Sequence, residues 1–148
     1  MIRPAACRLP DWHTRLIAYC QAVEHRAFQY GSSDCFCFAN GAVIAMTGHN
    51  LFPQFEGAYT NRFGMLRLIR RHGYDSLLSL VSDNLKSVGW PQIDPAEATI
   101  GDIAMMPGQP VTSLGICCAD GVIAQAVHGL AVVPGQHALA TWRVPHAL

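Results

Sequence analysis

Apolar residues recur at helical spacing through the first half of the chain and at strand spacing through the second. Trp12, Leu16, Tyr19, Cys20 and Val23 fall on one face of a helix for which Asp11 is the expected cap. The turn-rich segment Phe28-Gln29-Tyr30-Gly31-Ser32-Ser33 follows. Asp34 is then placed to cap a second helix, Cys35 to Thr47, closed by Gly48. Because that helix is apolar nearly all round, it is predicted to be the central buried one. A third helix is expected over residues 61–72, with Phe63, Leu66 and Ile69 inward, Arg67, Arg70 and Arg71 outward, and Gly73 as the stop. A shorter helical piece is expected over residues 76–85.

After Pro91 the texture changes. Residues 103–106 and 113–119 are predicted strands, and Asp120-Gly121 is a hairpin turn into a strand over residues 122–127. Residues 131–133 and 141–144 complete about five short strands. Helices first and strands afterwards predict an α+β fold, with N-terminal helices packed on a C-terminal antiparallel sheet. No repeat, low-complexity tract or linker interrupts residues 1–148, which are expected to form a single domain.

Composition narrows the function classes. With 148 residues, 51% hydrophobic and 14% charged, the chain can offset its ordering entropy with a core, which excludes disorder. The best apolar run, residues 35–46, is shorter than the roughly 20 residues of a bilayer crossing and holds Asn40, so no membrane span is expected. Ten basic residues balance ten acidic ones, which makes nucleic acid a poor partner. No apolar run stands behind Arg3 and Arg8, so no secretory signal is expected, and synthesis in a reducing cytoplasm would keep the cysteines as thiols. Cys117 and Cys118 would point to opposite faces of a strand, and Cys35 and Cys37 do not face each other on a helix, so no disulfide framework is indicated. The same spacings suit zinc or an iron–sulfur cluster poorly. Cys37 and one of Cys117 or Cys118 are expected to fill the contact between helix and sheet. No cofactor is expected, and Cys-ligated metal is retained as the weakest alternative.

The chemistry concentrates where Cys35 opens the second helix. A thiol in a helix's first turn faces unpaired backbone N–H groups and the positive end of the dipole, which favour the thiolate. Neighbouring N–H groups could serve an oxyanion hole. The competing reading is a small buried hydrophobe.

Aromatic-x-aromatic-Gly, a short turn, and Asp34-Cys35 opening an apolar helix resemble the nucleophile segment of the NlpC-type cysteine peptidases. These are papain-like enzymes that cut bacterial cell-wall peptides. Gly101-Asp102-Ile103 resembles that family's Gly-Asp-hydrophobic strand, and Ser113-Leu114-Gly115-Ile116 with Asp120-Gly121 resembles its next hairpin. The likeness spans residues 28–128. Phe36-Cys37-Phe38-Ala39-Asn40, residues 46–50, Tyr59, Gly73-Tyr74 and Thr141-Trp142-Arg143-Val144 resemble a phage and prophage branch whose small members are made among the tail-tip genes. The resemblance implies a papain-like fold and a bacteriophage virion setting: a tail tip or baseplate, reached after synthesis in the host cytoplasm. Other tail-tip proteins, and peptidoglycan in the active case, are the implied partners.

The resemblance also assigns roles. Cys35 matches the nucleophile. The family's histidine base matches Ser113, whose hydroxyl does not take a thiol proton near neutral pH. The third polar residue, which orients the base, matches Gln125. Phe28 stands where active members usually carry tyrosine. His128, three residues beyond Gln125, is the one substitute base considered, although a regular strand would turn it to the opposite face. The leading expectation is therefore a degenerate peptidase domain serving as a structural or assembly protein. The alternative is an active cysteine hydrolase, an endopeptidase or amidase acting on peptidoglycan during infection. Asp102 is expected to bond backbone N–H groups at its strand start. Trp90 is open between core and interface.

Overall fold

A computed structural model describes residues 6–108 and 112–147. Four helices come first: α1 (Trp12–Val23), α2 (Cys35–Thr47), α3 (Arg62–Arg71) and α4 (Leu77–Ser87). Six strands follow: β1 (Gln92–Ile93), β2 (Ile103–Met106), β3 (Ser113–Cys118), β4 (Gly121–Gln125), β5 (Leu130–Val133) and β6 (Ala140–Trp142). All pairings in the sheet are antiparallel, in the order β1-β6-β2-β3-β4-β5. The α+β expectation and most element positions hold. The two-residue β1 was not anticipated, because so short an edge strand has no periodicity to read.

Local chemistry sets the helix ends. The Asp34 side chain accepts from the Cys37 N–H (2.8 Å), and Gly48 closes α2 in the left-handed region at φ 77°. Asn61 accepts from Gly64 N–H (2.8 Å) at the start of α3, and Ser76 forms a capping box with Ser79 on α4. Asp11 does not cap α1. Its carboxylate instead pairs with the Arg15 guanidinium at 2.8 Å, one helical turn on. Phe63 departs from expectation too. It points outward with 65% of its surface exposed, while Met65 and Ile69 form the buried edge of α3.

The main core lies between the helices and one sheet face. Phe38, Ala39, Ala42, Val43 and Met46 from α2 pack with Met105, Leu114 and Ile116 from the sheet. Gly115 on β3 leaves room for β4 beside it, since a Cβ there would overlap a Val122 methyl and the Ile123 carbonyl. On that face Ala104, Met106, Cys117 and Val122 form a smaller cluster. Cys117 therefore does not fill the helix–sheet contact. Cys118 instead shares a groove with Cys20 of α1. Trp90 belongs to the core: it is 2% exposed, and its indole N–H donates to the Ala6 carbonyl at 3.0 Å. Among the described residues, no helix is long and apolar enough to cross a membrane.

Asp102, fully buried, joins the two ends of the chain. It accepts from the guanidinium groups of Arg8 (2.9 Å) and Arg143 (3.0 Å) and from the N–H groups of Thr99 (2.9 Å) and Val144 (3.2 Å). The expected backbone bonds are thus present, with two arginines added. Removing a carboxylate that holds buried cations leaves their charge uncompensated. Asp102→Ala should lower unfolding free energy by about 3–5 kcal/mol in denaturant titration, far more than Asp11→Ala at its exposed pair.

Candidate functional site: the Cys35 helix start

The turn before α2 is organised by one buried carboxylate. Asp34, 1% exposed, accepts from Gly31 N–H (2.9 Å) and the Tyr59 hydroxyl (2.6 Å) through Oδ2, and from Cys37 N–H through Oδ1. Gly31 is required here. Its φ is +83°, and a Cβ would collide with the Tyr59 carbonyl. Tyr59 thus reaches back from the loop before α3 to finish the N-terminal turn of α2. Sequence spacing offered no sign of this pairing, although Tyr59 was among the residues of the family resemblance.

Cys35 sits behind this knot with 7% of its surface exposed. Burial pushes its thiol up to about 11, and the nearby Asp34 charge pushes the same way. The backbone N–H groups of Leu114, Phe36 and Cys35 itself act in the opposite direction without prevailing. The expected thiolate is therefore not favoured. The helix's positive end is offset by the carboxylate that caps it, and little water reaches the sulfur. Cys37 is pushed up to about 12, first by burial and then by Asp34, and its sulfur lies 4.0 Å from the Tyr59 hydroxyl.

Ser113 begins β3 half-buried and pairs in register with Met106, so it shares the sheet face of Met106, Ala104 and Cys117, while its neighbour Leu114 faces the core with α2. The resemblance's base position is therefore not turned towards the Cys35 sulfur. Gln125 ends β4 with its amide engaged elsewhere: Nε2 donates to the carbonyls of Arg26 (2.7 Å) and Ala126 (2.9 Å).

His128 is not brought to Cys35. It is exposed in the turn between β4 and β5, where Ala126 N–H donates to Gly129 O at 2.7 Å, and it lines the groove beside α1. The other six histidines also stand elsewhere. His13 and His146 flank Trp12, His25 pairs with Glu24, and His72 packs on Phe55. His49 follows α2, and His137 lies in a helical turn before β6. Among the described residues, no histidine ring is hydrogen-bonded to the Cys35 sulfur. Phe28, at the resemblance's tyrosine position, packs edge-on to Tyr30 (4.9 Å) and places no hydroxyl there. All six cysteines are free thiols, and no three His, Cys, Asp or Glu side chains gather as a metal site among the described residues.

Residues 7–144 match the family described as "Domain of unknown function (DUF6950)". The chain belongs to that family. No curated protein matches the chain.

The raised thiols set an alkaline limit on stability. A thiol with an ordinary value near 8.5 ionises first in the unfolded chain, while the folded state holds its protons until about 11 at Cys35 and about 12 at Cys37. Their stabilising contribution is thus complete below about pH 8.5 and is lost as pH rises towards 11 and beyond. Denaturant midpoints measured from pH 7 to 11 should fall, and Cys35→Ala should make the decline shallower. Thiol-reactive labelling at Cys35 should stay slow at neutral pH.

Proposed function

We propose that the chain is a structural or assembly protein of a bacteriophage tail tip or baseplate, built on a degenerate NlpC-type, papain-like peptidase fold and lacking peptidase activity. The observation that carries this reading is the state of Cys35. Its sulfur is buried and held protonated, no histidine ring among the described residues is hydrogen-bonded to it, and the position that the resemblance gives to the base holds Ser113. A cysteine nucleophile acts as a unit with its base, so losing the base removes most of the thiol's advantage. Two features support the resemblance behind this reading: a capped helix start and a thiol in its first turn. A fold that keeps this frame without the proton acceptor suits a scaffold whose use has moved to its surface. In this reading the partners are other tail-tip proteins, the chain reaches the virion after synthesis in the host cytoplasm, and neither a cofactor nor nucleic acid takes part.

The competing hydrolase would use Cys35 as nucleophile, with the Cys35 and Phe36 N–H groups near the developing oxyanion. It is favoured by one specific feature, the retained thiol at a capped helix start. The two readings separate on purified peptidoglycan. The scaffold reading expects no release of wall peptides by the unaltered protein or by Cys35→Ala. Release that disappears in Cys35→Ala would overturn it.

A further inference from the structure

Helix α3 places an aromatic ring where the core does not need one. Phe63 keeps 65% exposure, and Arg67, Arg70 and Arg71 follow at i+4, i+7 and i+8, so the four form one outward stripe. The Arg62 guanidinium lies 5.0 Å from the centre of the Phe63 ring, over its face. The segment Arg62–Arg71 contains no acidic residue, yet it holds four of the chain's ten basic ones. Among the described residues, none of those four arginines joins an ion pair. Arg70 and Arg71 complement the helix C-terminus. That explanation does not extend to Arg67 or Phe63. Both line a cavity of about 510 Å³ shared with Thr60, Asn61 and Gly64.

We infer that this face of α3 docks an acidic protein partner. A carboxylate of the partner enters the cavity and is gripped by Arg67, the Phe63 ring packs against an apolar neighbour of that carboxylate, and Arg70 and Arg71 meet further acidic side chains. Charge complementarity selects the partner's sign. Guanidinium forks match carboxylates in two-point contact, and phenylalanine with arginine is an interface composition. Nucleic acid fits less well. The chain has no net charge, and one ten-residue helix offers too short a basic track for a phosphate backbone. The inference gives the assembly reading a contact face and rests on that reading for its setting.

The test is fluorescence anisotropy with the full chain and a labelled helical peptide carrying glutamates and leucines on one face. Saturable binding that weakens with salt is expected. Arg67→Glu/Arg70→Glu/Arg71→Glu should weaken it about tenfold or more, and Phe63→Ser about threefold. Reversing Arg15 and Arg26 on and beyond α1 should leave it unchanged. Arg67→Gln, with a thermal melt beside it, covers the case in which the triple reversal fails to fold. Absence of binding, equal loss in the Arg15/Arg26 control, or tighter binding of a duplex DNA through the same arginines would overturn the inference. Wall cleavage dependent on Cys35 would overturn the assembly reading instead and leave the peptide result standing.

Discussion

Two buried carboxylates hold this protein in one arrangement, and Asp102 is the one on which the rest depends. Its oxygens collect guanidinium groups from Arg8 near one end of the chain and Arg143 near the other, with backbone donors at Thr99 and Val144. Arg8 also donates to the carbonyls of Val144 (2.8 Å) and Ile100 (2.9 Å) and stacks over Trp12 at 4.2 Å. The first helix, the strand β2 and the segment after β6 are thereby fixed to one point. Burying such charges is tolerable because each carboxylate oxygen is occupied. Gly101 belongs to the same construction, since any Cβ would press on Arg8 and Trp12.

Asp34 does at the site what Asp102 does for the frame, but with a chemical side effect. The carboxylate that caps α2 and receives Tyr59 also adds negative charge beside the Cys35 and Cys37 sulfurs. A helix start that would by itself favour a thiolate is thus set against it. Stability of the turn and reactivity of the thiol are opposed here, and burial decides in favour of stability.

Much of the architecture was legible because it is local. The cap at Asp34, the stop at Gly48 and the Asp120-Gly121 hairpin each rest on chemistry within a few residues. The site was legible in part. The Cys35 helix start followed from order along the chain, whereas the thiol's state depended on a burial that spacing cannot measure. Asp102's arginines lie 94 and 41 residues away in sequence, and Tyr59 lies 25 from Asp34, so no periodicity announced them. Phe63 was misplaced for a different reason. Helical spacing alone allows an apolar residue to face either way, and Met65 with Ile69 took the inward edge. Such a departure from the hydrophobic pattern is where a surface serving a partner is expected.

The margins of the sheet carry one more consequence. At β5 the outward N–H of Leu130 is already taken by the Glu24 carbonyl (2.9 Å), and Pro134 ends the strand. At the opposite margin β1 is two residues long, between Pro91 and Pro95. At each border these features shorten the run of backbone groups on which a neighbouring chain could build a further strand. Fibrous stacking of copies through their sheet borders is thereby restricted, which leaves contacts with other chains to side chains.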